Sequence, residues 1–180
     1  MSPKILPDGQ YKICYLGTEW AECFFKGGSI EFDADDKEVT ANCGVVKAYQ
    51  KLKKVTFKVT FMSWDCEDIK LILPHLANPA LSEGIVFTSS TCSQAETVGE
   101  LVIELTCADG PCQYIVIPRA NVEMDLGESI ELGEDADQVS VSLLFTGYVS
   151  DAVSSIPGAF ISLGAPAGMT SYDCATQTWS

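Results

Sequence analysis

Apolar and polar residues alternate most cleanly over Lys54–Phe61. Val55, Phe57, Val59 and Phe61 fall on one face, and Lys54, Thr56, Lys58 and Thr60 on the other. Period two of this kind predicts a strand with one buried and one wet face. The same pattern recurs, more briefly, at Tyr11–Tyr15, where Gly17 ends the run, and at Ser29–Asp33, entered through Gly27-Gly28. Lys37–Cys43 reads as the partner of Ser29–Asp33, with the turn at Asp35-Asp36. Further strands are expected at Gly84–Ser89, Leu101–Thr106, Gln113–Ile117, Asn121–Leu126, Ser129–Leu132 and Val139–Tyr148. The Asp109-Gly110-Pro111 turn makes a hairpin of the second and third of these.

Helical spacing occurs once. Ile69, Ile72, Leu73 and Leu76 recur at i, i+3, i+4 and i+7 behind Ser63 and Asp65, either of which can cap the helix. Glu67 and Asp68 sit in the first turn, where negative charge suits the helix dipole. Pro74 predicts an end near Leu73. The expected fold is therefore mainly β: an antiparallel β-sandwich or open barrel with one short flanking α-helix. A β domain is expected over residues 1–150. Residues 151–180, rich in Gly, Ser, Ala and Pro and without clear period, form a C-terminal extension or arm.

Charge sharpens this picture. The 180 residues carry a formal net charge of −14, yet 47% are hydrophobic, which excludes an acidic disordered chain. Residues 1–70 hold ten lysines against eleven acids, whereas residues 71–180 hold Arg119 alone against 14 acids. Such a surface does not grip nucleic-acid phosphates, nor anionic lipid heads. No secretory signal pattern and no membrane-length apolar run is visible, so synthesis in the cytoplasm and no membrane partner are expected.

Candidate chemistry is sparse. The only histidine, His75, follows Pro74 at the end of the helix pattern and reads as a packing residue. No nucleophile elbow, phosphate loop or dinucleotide fingerprint is present. The acids Asp33, Asp35 and Asp36, and the group Glu123, Asp125, Glu128, Glu131, Glu134, Asp135 and Asp137, lack the spacing of a calcium loop and read as solvated faces. No catalytic residue, metal or cofactor is expected. There are eight cysteines without a C-x-x-C pair. Reduced buried thiols, disulfides and cross-subunit bonds all remain open, with Cys107 and Cys112, across the Asp109-Gly110-Pro111 turn, the best local pair. Along Asn121–Leu126 the acids Glu123 and Asp125 face one way and Val122, Met124 and Leu126 the other, with Glu128 and Glu131 just beyond. This is either an ordinary wet strand face or a surface built not to hold a polyanion. Like charges opposite one another on a sheet are unfavourable, so the second requires a purpose.

The order of these features, from Cys23–Asp33 through Lys54–Phe61 and the helix behind Trp64 to Val139–Tyr148, resembles the major tail tube proteins of long-tailed bacteriophages and, more distantly, the tube subunit of type VI secretion systems. The resemblance spans residues 10–150 and rests on order, size and charge. It implies a virion tail protein made in the bacterial host. Its subunits would close into hexameric rings, stack into a tube and contact other tail proteins. Their inner strands would join a ring-shaped β-barrel through which DNA passes without specific binding. On this implication Glu123, Asp125, Glu128 and Glu131 line the lumen, as do Glu31 and Asp33. The segment Gly44–Lys54, with Lys47, Lys51, Lys53 and Lys54, becomes a loop reaching the next ring. Alternatives from the same residues are another phage structural part (tail terminator, baseplate hub or capsid decoration) and a small acidic β-sandwich that binds sugar or calcium.

Overall fold

A computed structural model describes residues 11–20, 25–41, 44–61, 66–73, 98–105, 113–125, 131–132, 139–151 and 154–180. The expected strand Gly84–Ser89, His75, Glu128, and Cys107 with Cys112 lie outside the described residues.

The chain runs β1 (Tyr11–Tyr15), β2 (Thr18–Trp20), β3 (Phe25–Ala41), β4 (Gly44–Phe61), α1 (Cys66–Ile72), β5 (Val98–Leu105), β6 (Tyr114–Met124), β7 (Glu131–Leu132), β8 (Val139–Gly147), and three two-residue strands, β9 (Ser162–Leu163), β10 (Tyr172–Asp173) and β11 (Thr178–Trp179). Nine of the strands form one antiparallel sheet in the order β2-β1-β5-β6-β8-β4-β3, with β7 on β8 and β9 on β6. The mainly β class, with one short helix among the described residues, is thus observed, and the sheet stays open.

Alternation explains the sheet's inner face. Val55, Phe57, Val59 and Phe61 are all buried, as the pattern predicts. They meet Ile13 and Tyr15 of β1, Leu101 and Ile103 of β5, Ile117 and Val122 of β6, and Leu143 and Phe145 of β8 in one core. The sheet curls around that core. Trp20, on the edge strand β2, packs edge-on against Phe61 of β4, five strands further along, with ring centroids 5.1 Å apart. A Cβ on Gly28 of the opposite edge strand, β3, would lie 2.8 Å from the Tyr11 hydroxyl of β1, the strand next to β2, so the two ends of the sheet approach around the core. The helix closes part of this core with Ile69 and Leu73, both buried. Its observed span agrees with the expected stop near Leu73.

Three expected boundaries are corrected. β3 passes straight through Asp35-Asp36, with no turn there. A register shift between Asp33 and Ala34 leaves Lys53 as an extra residue on β4, and this bulge breaks the alternation that read as two strands. Gly44–Lys54 is not a loop but the first half of β4, paired with β3. β8 accompanies β4 only from Val55 onward, so the residues before it have β3 as their one described partner. Leu52 packs on the main core, but Gly44–Lys54 as a whole shows no period-two alternation. Finally, Gln113–Ile117 and Asn121–Leu126 are one strand, β6. Its register against β5 shifts between Gly99 and Leu101, a bulge that accommodates Pro118 within a central strand.

Most of residues 154–180 lies against the other face of the sheet, while Phe160 and Ile161 pack on the main core. β9 pairs Leu163 and Ser162 with Ile115 and Val116, beyond the point where β8 leaves β6. Cys174 is disulfide-bonded to Cys14, 160 residues away, with Cα atoms 5.8 Å apart. Cys14, Val102, Tyr114, Val116 and Cys174 form a second small core, with Ile156, Tyr172 and Trp179 packed on it. Closing so long a loop stabilises the fold by on the order of 5 kcal/mol in the chain-entropy limit.

Candidate functional site

Residues opposite one another in antiparallel strands share a face. Since Val55, Phe57 and Val59 point into the core, the residues between them build the outer face of β3, β4, β8 and β6. One row across it is Ser29–Lys58–Leu144–Glu123 and the next is Glu31–Thr56–Thr146–Asn121, with Asp33 opposite Lys54 beyond them. On the other side of the first row, Thr60 and Ser142 share a hydrogen bond between hydroxyls at 2.9 Å. The Asp125 amide donates to the Ser142 carbonyl at 2.9 Å.

This face gathers four of the six acids expected to act together, from two distant stretches of sequence: Glu31 and Asp33 on β3, Glu123 at the end of β6 and Asp125 just past it. Glu31, Asp33 and Glu123 are exposed. Asp125 is half-buried and ion-paired to Lys58, Nζ to Oδ2 3.0 Å. Glu131 lies on β7, its backbone opposite Ser140 of β8.

The face is acidic but not uniformly so. Lys54 and Lys58 accompany the four acids, and no like charges stand directly opposite. Asp33 faces Lys54, Glu31 faces Thr56 and Glu123 faces Leu144. The repulsion anticipated for an acidic row is therefore avoided by register. Lys58 is a member that sequence reasoning did not single out. Its place among the polar positions of Lys54–Phe61 was the available signal.

Beyond this face β3 and β4 continue as a two-stranded ribbon. Lys51 and Lys54 are exposed along it, and Lys53 Nζ reaches Asp35 Oδ1 at 2.6 Å. That hydrogen bond and the Asp35 charge raise the pKa of Lys53 further above its ordinary value. Lys47 stands opposite Val39 in the backbone register. Asp35 and Lys53 come together, therefore, while Lys51 and Lys54 lie further along the same strand.

Among the described residues no group of three or more His, Cys, Asp or Glu is placed to hold a metal ion. The described hollows are small. One of about 220 Å³ is open and polar, lined by Gly99, Glu100, Arg119, Asp151 and Ser154 among others, and holds no nucleophile–base pair. The chemistry available to the outer face is electrostatic.

No protein-family model and no curated protein sequence matches the chain. Among solved structures, a chain of the sheath-tube complex of an extracellular contractile injection system (PVC), in its extended state, is similar over 82% of this chain and 90% of its own, with 8% identity and a TM-score of 0.47. A chain from the tail of an empty GTA particle with C6 symmetry is similar over 88% and 96%, with 12% identity and a TM-score of 0.44. One from the virion of a native gene transfer agent particle is similar over 79% and 94%, with 10% identity and a TM-score of 0.42. Likenesses of this degree carry no argument about what the chain does.

Proposed function

We propose that this chain is a structural subunit of a phage-type tail tube, without enzymatic activity, which closes into rings, six-fold as the sequence resemblance implies, and conducts DNA through an acidic lumen. The observation that carries this reading is the meeting of Glu31, Asp33, Glu123 and Asp125 on one wet face of a sheet whose edge strand, β3, has among the described residues a partner on one side only. An open edge of that length is an aggregation hazard unless another chain covers it, and ring closure does so without leaving a free end. A lumen needs a surface that holds water and does not retain phosphates. Exposed carboxylates supply it, and Lys54 and Lys58, standing beside acids, are partly neutralised. The β3–β4 ribbon supports the contact between rings. A two-stranded ribbon is marginal by itself, and its lysines complement the acidic second half of a neighbouring copy.

Electron microscopy of the purified chain tests the reading. Long hollow tubes of stacked rings are expected. Isolated rings or monomers at every concentration and ionic strength would overturn it in favour of a terminator, hub or decoration protein. Reversing Glu31, Asp33 and Glu123 to lysine is expected to leave tubes assembling while DNA delivery by reconstituted particles falls roughly tenfold or more, because added cations retain phosphates. Unchanged delivery would contradict the lumen assignment.

A further inference from the structure

We propose that residues 162–180 form a redox-latched clasp. With Cys14 and Cys174 oxidised, the segment is locked over the outer face of β1, β5 and β6. With them reduced, it lifts from that face while the main core stays folded.

The argument begins with how little else holds the segment down. Among the described residues its strand pairing with the main sheet is the two-residue β9 on Ile115–Val116. Its apolar contribution to the second core comes from Ala165, Tyr172 and Trp179, all only partly buried. Trp179 Nε1 donates to Glu100 Oε1 at 2.8 Å. The β10–β11 hairpin pairs with itself. Against these contacts, the disulfide is the one covalent tie, and both its cysteines are buried.

The two cores also lie on opposite faces of β1. Tyr11, Ile13 and Tyr15 of β1 face the main core while Cys14, between them, faces the clasp. Phe160 and Ile161, just ahead of the clasp, pack on the main core and stay with it. Lifting residues 162–180 therefore leaves the main core's contacts in place and uncovers Val102, Tyr114 and Val116 with the β6 edge that β9 occupies. Local opening of a weakly tethered unit below the global transition is ordinary protein behaviour. The chemistry balances with a small-molecule disulfide as oxidant. The two protein thiols lose two electrons and two protons and join Sγ to Sγ, and the oxidant leaves as two thiols.

Amide hydrogen exchange on the full chain, with and without a phosphine reductant, is the test. Reduction is expected to speed exchange at residues 162–179 by roughly a hundredfold, the fold-change a typical disulfide constraint corresponds to. Ile13, Ile103 and Phe145 should keep their protection. The Cys174→Ser variant without reductant should match the reduced protein, which separates the bond's effect from any other action of the reductant. Equal protection of residues 162–179 in both states would overturn the proposal, as would loss of protection at Ile103 and Phe145 together with the clasp. So would non-reducing peptide mapping that joins Cys14 to another cysteine.

Discussion

Phe145 is fully buried between the rings of Tyr15, 5.1 Å away and edge-on, and Phe57, 6.0 Å away and tilted. It joins β8 to strands on both sides of the core. Truncating it to alanine is expected to cost about 3–5 kcal/mol, read as a lower urea midpoint at unchanged slope. Tyr172 reports on the clasp instead. Burial, then the charges of Glu100 and Asp173, push its pKa up to about 12. Its phenol therefore holds its proton more tightly folded than unfolded. The contribution is fully present below pH 10 and is lost as pH rises toward 12. Tyrosinate absorbance should show a late-titrating phenol that is absent in Tyr172→Phe. At this scale the sequence was legible wherever alternation served a single core, as at Val55–Phe61. It did not disclose the Cys14–Cys174 bond, because 160 residues separate the partners. One local sign existed: Cys14 is out of phase with Tyr11, Ile13 and Tyr15, so its burial demands a cover on the opposite face.

Strands were easier to detect than to delimit. The β5–β6 hairpin, the helix stop at Leu73 and the long β8 all follow from the pattern of residues, because each packs a continuous apolar face. β3 and β6 were split in the reading because bulges at Asp33/Ala34 and at Gly99/Leu101 shift the phase of the alternation. The first half of β4 was read as a loop because the resemblance implied one there and Gly44–Lys54 carries no hydrophobic period to set against it. Between elements, Gly147 is where β8 meets β6 and the C-terminal segment. A Cβ there would lie 2.7 Å from Ile117 Cγ2 and 3.2 Å from the Phe160 carbonyl oxygen. Gly147→Val is expected to destabilise by about 1–3 kcal/mol through overpacking, seen as a lower Tm. The Lys58–Asp125 pair ties β4 to the end of β6 at a partly exposed position. A double-mutant cycle with alanine should find a coupling of about 0.2–1 kcal/mol that weakens in high salt.

For the whole molecule, the net charge of −14 first excludes partners and then acquires a location. Two acids of the near-neutral first third and two from the acidic remainder meet on one face, an arrangement that charge counting along the chain did not reveal. The division of labour that follows is physical. The inner face stabilises the subunit and the outer face of β3, β4, β8 and β6 presents carboxylates; on the proposed function, the ribbon and the β3 edge meet another copy. The most direct measurement is a helical cryo-electron-microscopy map of tubes assembled from the full chain. The account predicts Glu31, Asp33 and Glu123 on the inner wall, with β3 paired to a strand of the adjacent subunit. A map with that face on the outside of the tube, or with β3 left unpaired, would contradict it.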